Sequence, residues 1–393
     1  MPNNTSYSLP KDSKAWQQAV DSIASLLPND TNLQDFDALQ SLPVFALIVV
    51  LPNKVSTLDI HEYVQSWVDE QPNWHLVTVA EDADASFVDL VVSDTEPTAE
   101  NAQRLPFTQS QVFRYLLVPV TDTLMHPAKK TAAAHIIDDQ LTTRLRHDLA
   151  EAYKSETQAN NDEVVDCHIL SIGHMLRTHK LACFDMDSTL IEQEVIVELA
   201  KTAGIGEKVE AITEAAMRGE IDFDESFAQR VALLAGISTD VLDEICERLT
   251  LSMGARTTIS ALKALGYHTV LVSGGFTYFA RYIAEQLGMD EVHANALDIE
   301  EGEVTGQVQL PIVNGAKKAA IVQHTAERLG IEMSQVVCIG DGANDLPMMG
   351  IADLGIAYHA KPIVQARADA AVNVTGLEGT LYALGYPAFA LTK

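Results

Sequence analysis

Positive charge is what this chain has least of: 26 lysines and arginines stand against 55 aspartates and glutamates, a formal net charge of −29 over 393 residues. A surface that acidic repels phosphodiester backbones and anionic lipid, so neither nucleic acid nor a membrane is expected as a partner. A small anionic ligand would need its own local cluster of positive groups. Cysteine is scarce as well. Cys167, Cys183, Cys246 and Cys338 are the four present, and none of them pair at metal-ligand or redox spacing. Cys183 and Cys338 sit in apolar runs, where a reduced thiol packs as a small hydrophobe. No apolar run approaches the roughly 18 residues of a membrane span. The opening residues Met1–Ser8 lack the basic and apolar regions of a secretory signal. A cytoplasmic protein is the expectation.

Apolar residues make up 47% of the chain and charged residues 21%, a globular balance, and the length implies two or three domains. Residues 1–40 are polar and read as an extension. Over 41–175 the pattern is a strand at Val44–Leu51, a helix at Thr57–Asp69, and strands at Trp74–Val79, Phe87–Val92 and Val112–Val120. A helical stretch at Lys129–Lys154 and a strand at Val164–Ile172 follow, which together predict a small α+β sandwich. From 176 to 393 the rhythm changes. Strands at Lys180–Phe184, His268–Val272, Val336–Ile339 and Leu354–Ala357 alternate with helices, notably Thr277–Leu287 and Lys317–Leu329. That alternation predicts an α/β fold with a doubly wound, Rossmann-like parallel sheet and ligands at the strand carboxyl ends. An insert at about 192–260 reads as four helices: Glu194–Ala203, Glu207–Met217, Phe223–Leu234 and Asp240–Arg248.

Four motifs fall at or near strand ends. Asp185-Met186-Asp187-Ser188-Thr189-Leu190 puts two carboxylates two residues apart; they would repel unless a divalent cation sat between them. Ser273-Gly274-Gly275 offers a hydroxyl and glycine N–H groups to a phosphate oxygen. Lys317-Lys318 opens a helix, where cations are unfavourable for the helix itself, so an anion to neutralise would explain the pair. Gly340-Asp341-Gly342-Ala343-Asn344-Asp345 adds two more carboxylates and an amide. Singly, each reads as ordinary turn, cap or surface chemistry; together they point to one site. His268, His293 and His324 show no metal-ligand spacing and read as surface or core residues.

The order of these motifs over about residues 178–390 resembles the haloacid dehalogenase-like hydrolases, in particular their phosphoserine phosphatase branch. The resemblance implies that Asp185 attacks phosphorus and that Asp187 protonates the leaving alkoxide and then activates water. It implies Mg2+ held by the Asp185 and Asp341 carboxylates and the Asp187 backbone carbonyl, with Asp345 in support. Ser273, Gly274, Lys318 and Asn344 are expected around the phosphoryl oxygens; Lys318 is chosen over Lys317 because it fits the family register before Asp341. The helical insert is expected to close over the site. Within it, Glu194 and Arg230 would grip the ammonium and carboxylate of an amino acid, flanked by Met217 and Phe223. The implied substrate is O-phospho-L-serine. The alternatives are a related small-molecule phosphatase or phosphotransferase, and an amino-acid-responsive regulatory protein with an inert phosphatase domain. The first half resembles an ACT-type amino-acid-binding module, expected either to bind an effector at the loop Leu51–Ser56 or only to join two copies of the chain as a homodimer.

Overall fold

The structure, a computed structural model, describes residues 44–52, 59–70, 74–85, 110–119, 139–157, 165–218 and 220–386. By internal contact the chain divides into two units, one comprising the residues up to Thr178 together with those from Asp369 on, the other His179–Ala368.

In the first unit the elements run β1 (Phe45–Pro52), α1 (Ile60–Asp69), β2 (Trp74–Ala85), β3 (Ser110–Pro119), α2 (Asp139–Thr157), β4 (Asp166–Ser171) and α3 (Ile172–Leu176). The strands form an antiparallel sheet in the order β2-β3-β1-β4, the βαββαβ arrangement of an α+β sandwich. Asp59 caps α1 by accepting from the Glu62 N–H at 3.0 Å, and Ile60, Val64 and Trp67 then fall at helical spacing on one stripe. That stripe and the Leu145, Leu149 and Tyr153 stripe of α2 bury Leu47, Val49 and Leu51 of β1. The expected strand Phe87–Val92, the start of the Lys129 helix and the loop from Asn53 to Ser56 lie outside the described residues.

The tail from Asp369 also belongs to this unit by contact, although the sequence pattern assigns it to the catalytic half. The physical link is Asp166 at the head of β4. Its buried carboxylate accepts from the Asn373 N–H at 2.7 Å, the Asn373 Nδ2 at 3.0 Å and the Val374 N–H at 2.8 Å.

The second unit is a parallel α/β layer carrying insertions. Its elements are β5 (Leu181–Phe184), α4 (Val195–Thr202), α5 (Gly206–Met217), α6 (Phe223–Ala232), α7 (Thr239–Arg248), α8 (Ala255–Ala264), β6 (His268–Phe276), α9 (Thr277–Leu287) and β7 (Glu291–Asn295). They continue with β8 (Leu297–Glu300), β9 (Glu303–Val308), α10 (Gly315–Leu329), β10 (Val336–Gly340), α11 (Leu346–Met349), β11 (Leu354–Tyr358) and α12 (Pro362–Gln365). Within it the strands lie in the order β11-β10-β5-β6-β7, all parallel. Strands β5, β10 and β11 are buried along their whole length, as expected for a parallel sheet covered on both faces.

Helices α4 to α7 form the insert. α8, which the sequence reading left unassigned at the end of the insert, packs on β6 and α9 and so belongs to the layer beside the sheet. The hairpin β8–β9, also unforeseen, joins the insert instead: Gly236 N–H donates to Val304 O at 2.8 Å, Val304 N–H to Ile237 O at 2.9 Å and Thr239 N–H to Gly302 O at 2.9 Å. Its two-residue turn, Glu301-Gly302, has φ of 51° and 84°, the left-handed pair that tight hairpins require.

Asp166→Ala leaves two backbone N–H groups without their charged acceptor and is expected to cost about 2 kcal/mol. Because Trp16, Trp67 and Trp74 all precede residue 179, tryptophan fluorescence during urea unfolding reads the first unit alone. The midpoint should fall while the phosphatase activity that the resemblance implies stays within about two-fold in the absence of denaturant.

Candidate active site

The carboxyl ends of β5, β6 and β10 converge on one point. Asp185 continues β5 by one residue, its N–H donating to Ile339 O of β10 at 2.9 Å. The chain then turns sharply, and the N–H groups of Thr189, Leu190 and Ile191 all donate to Met186 O, at 3.2, 2.9 and 3.1 Å. Ser188 adopts a left-handed φ of 55°, a conformation costing a non-glycine residue about 1 kcal/mol. Its surroundings hold it there: Ser188 N–H donates to Gln193 O at 3.3 Å and its hydroxyl to Glu194 Oε1 at 2.8 Å. This turn swings Asp187 back toward the site, where its Oδ1 accepts from the Val195 N–H at the start of α4 at 3.2 Å.

Lys318 lies beneath the acidic groups, fully buried. Asn314 begins its helix by accepting from the Lys317 N–H at 3.0 Å, which carries the Lys318 side chain inward and sends Lys317 elsewhere. The Lys318 ammonium sits 2.8 Å from Asp185 Oδ1 and donates to Asp345 Oδ1 at 2.7 Å. Asp185 Oδ1 also accepts from the Met186 N–H at 2.7 Å, so two donors fix the plane of that carboxylate. Asp345 Oδ2 accepts from the Gly342 N–H at 3.0 Å; both its oxygens are therefore committed to lysine and loop. Burial works against the charge on Lys318, but Asp185 and Asp345 outweigh it and hold the ammonium above its ordinary pKa.

The remaining acids carry an excess of negative charge. Burial, followed by the fields of Glu194 and Asp185, holds Asp187 well above the usual carboxylate range. Its Oδ1 accepts a backbone N–H, which leaves Oδ2 free of that bond. Burial and then Asp185 and Glu194 push Asp341 up to about 7. Asp185, Asp341 and Asp345 offer oxygens that all lie within 4.8 Å of one another. An all-oxygen set, under-neutralised by one ammonium, fits a hard divalent cation such as Mg2+.

A cavity of about 690 Å3 opens above these groups. Asp185, Asp187, Asp341 and Asn344 line its floor, Gly274 one wall, and Glu194, Phe223 and Arg230 the side formed by the insert. Ser273 and Lys318 are completely buried and lie behind that surface. The Ser273 hydroxyl accepts from the Gly275 N–H at 2.8 Å, which shapes the glycine wall. The Ser-Gly-Gly segment is a continuation of β6, made irregular by a register shift against β7 between Val272 and Phe276. The backbone of Met217 closes α5, while its side chain lies outside the described residues.

Glu194 and Arg230 face the same cavity, and no ion pair joins them among the described residues; Arg230 Nε donates to Ser226 O at 3.3 Å. Sequence reasoning missed Phe227, Phe276, Thr213, Lys361 and Ile363 on the cavity wall. Phe223 stacks on Phe227 with ring centres 6.2 Å apart, and Phe227 tilts against Phe276 at 5.7 Å. The spacing of Phe223 and Phe227 on one helical face was the available signal. Lys361 and Ile363 follow β11, a parallel strand end that the motifs left unused.

Gly340 is where this packing is tightest: a Cβ there would run into the Asp345 carboxylate. Gly340→Ala should therefore push Asp345 off Lys318 and loosen Asp185. A displacement of about 1 Å at a reacting group costs on the order of 100-fold in rate, so metal-dependent hydrolysis of an aryl phosphate is expected to fall by that factor in steady-state assays.

Comparison with known proteins agrees with this geometry. The family model of haloacid dehalogenase-like hydrolases matches residues 182–350. A phosphoserine phosphatase of Streptomyces coelicolor is 41% identical over 293 residues, covering 74% of this chain and 67% of that protein. A probable phosphoserine phosphatase of Schizosaccharomyces pombe is 46% identical over 225 residues, 57% of this chain and 76% of that protein. Among solved structures, a HAD family hydrolase from Salmonella enterica serovar Typhi superposes with a TM-score of 0.66 at 27% identity, covering 86% of this chain and 98% of the other. The chain belongs to the haloacid dehalogenase-like hydrolases.

Proposed function

We propose that this chain hydrolyses O-phospho-L-serine to L-serine and phosphate through an aspartyl-phosphate on Asp185, in a cytoplasmic setting. The observation that carries the reading is the cavity itself, lined by the carboxylates Asp185, Asp187 and Asp341 and, on the side formed by the insert, by Glu194 and Arg230, which form no ion pair with each other among the described residues. An α-amino acid presents one ammonium and one carboxylate, the two charges that such a pair complements. Two relatives that bear the name phosphoserine phosphatase support the same choice.

Asp185 acts as nucleophile, its carboxylate held in plane by the Met186 N–H and Lys318. Lys318 supplies positive charge close to where the transferring phosphoryl group gathers negative charge. Asp187, whose burial favours its protonated form, gives a proton to the serine alkoxide as the P–O bond breaks. The resulting carboxylate then takes a proton from the water that attacks the aspartyl-phosphate, which returns Asp185 and releases phosphate. Asp185, Asp341 and the Asp187 backbone carbonyl would hold Mg2+, which when bound would supply positive charge to the phosphoryl oxygens. Asp345 acts through Lys318. The helices of the insert exclude water while Phe223 and Phe227 cover the methylene of the substrate.

Phosphate release from phosphoserine with Mg2+ should be abolished in Asp185→Asn and restored by no other metal. Arg230→Gln removes charge-assisted hydrogen bonds worth about 1.5–3 kcal/mol, so KM for phosphoserine should rise roughly 10- to 100-fold. KM for p-nitrophenyl phosphate, which has no carboxylate, should barely change. An equal rise for both substrates would leave the phosphatase in place and remove the amino-acid reading.

Asp341 also predicts a pH effect. Its folded pKa of about 7 lies above the ordinary carboxylate value, so its charged form destabilises the fold. Stability is lost as pH rises from about 4 through 7, and a bound cation returns it. The increase in Tm on adding Mg2+ should therefore be larger at pH 8 than at pH 6 by differential scanning fluorimetry, and the difference should vanish in Asp341→Asn.

A further inference from the structure

Lys317, the other half of the lysine pair, has no role in the site above. Its side chain lines a second cavity of about 470 Å3, on the flank of the same unit between α9, α10 and the end of β7. Arg281 from α9, and His324 from the same face of α10 as Lys317, line it too, with His293 of β7 and the hydroxyl-bearing Thr277 and Thr325. No aspartate or glutamate lines this cavity, in a chain where acids outnumber lysines and arginines 55 to 26.

The pairing pattern sharpens the contrast. His293 is engaged with Glu291, its Nε2 lying 2.6 Å from Oε1. Among the described residues, no carboxylate pairs with Arg281, Lys317 or His324, whereas Lys201, Arg218, Lys263 and Arg328 of this unit each hold an acid. Two permanent cations and an imidazole turned into one acid-free hollow repel one another, and an anion relieves that repulsion. Arginine offers a fork of donors, and lysine and histidine supply point contacts, a set that suits tetrahedral oxyanions.

We propose that this hollow is a second anion site, separate from the catalytic cavity, for a small multiply charged oxyanion of the phosphate class. It is connected to the catalytic wall through few bonds. Thr277 Oγ1 donates to Ala294 O at 3.0 Å and to Asn295 O at 3.1 Å. Asn295 in turn donates from Nδ2 to Gly274 O at 2.8 Å and accepts from the Val313 N–H at 2.7 Å. Thr277, Ala294 and Val313 line the second cavity, while Gly274 lines the first. An occupant of the second site therefore rests on the far side of the segment that shapes the phosphate wall.

Equilibrium dialysis of the full chain with Mg2+ against radiolabelled inorganic phosphate, at low ionic strength, counts the sites. The wild type should bind two equivalents, and Arg281→Glu/Lys317→Glu should bind one, with phosphate release from phosphoserine at low product concentration unchanged. Arg281→Gln and Lys317→Gln singly should each weaken the second equivalent at least several-fold. Arg281 is exposed and Lys317 partly so, and circular dichroism of each variant checks that it is folded. One equivalent in the wild type, or two in the double variant, would overturn the proposal. Because the test counts phosphate bound, its result does not depend on which phosphomonoester the catalytic site hydrolyses.

Discussion

The arrangement of the catalytic half depends on one buried ammonium. Lys318 has no exposed surface and is held between Asp185 and Asp345 at 2.8 and 2.7 Å. Removing one partner of a buried ion pair generally costs about 3–5 kcal/mol, because the other charge is left uncompensated. Every surrounding choice serves this contact. Asn314 starts α10 so that the second lysine turns inward, the lack of a side chain at Gly340 admits the Asp345 carboxylate, and Gly342 holds the second oxygen of Asp345. The lysine neutralises one carboxylate equivalent. Asp341 and Asp187 remain in excess; burial, and then that excess, pushes both toward the protonated form, and a divalent cation fits beside them.

The same charge arithmetic divides the labour of the cavity. In the proposed function the floor handles phosphate with groups on strand ends whose side chains are held by hydrogen bonds. The opposite side, supplied by α4 and α6, carries Glu194 and Arg230 on the insert, with Phe223 and Phe227 on the same wall. The proposed function thus puts the chemistry on the sheet and the selectivity on the insert. The hairpin β8–β9 braces that insert through three backbone hydrogen bonds, which ties its position to the loop leading into α10.

Much of the catalytic site was legible because it is written in short segments, each at one strand end. Asp185, Asp187, Asp341, Asn344 and Asp345 needed only the strand assignments to be brought together. The parallel sheet followed from the alternation of apolar runs with helices, and α9 was placed at its observed bounds. What escaped the sequence has long-range causes. Strand β7 is only partly buried and lacks the apolar run that marked its neighbours. Strands β8 and β9 are polar, and their turn uses Glu301 where asparagine or aspartate is the familiar signal. The tail from Asp369 is drawn to the first unit by hydrogen bonds to Asp166, a partner some 200 positions away that no local pattern discloses. The depth of Ser273, and the divergence of Lys317 from Lys318, depend on side-chain direction and not on spacing.

The central claim is that Asp185 becomes covalently phosphorylated during turnover. Rapid mixing of the Mg2+-loaded enzyme with phosphoserine, acid quench, and trapping of the acyl phosphate with hydroxylamine reads this directly by peptide mass spectrometry. The account predicts a hydroxamate on Asp185, formed within the first turnover and absent when substrate or metal is withheld. A hydroxamate on Asp187 or Asp341 in its place, or full phosphate release with no trapped aspartate at any quench time, would contradict it.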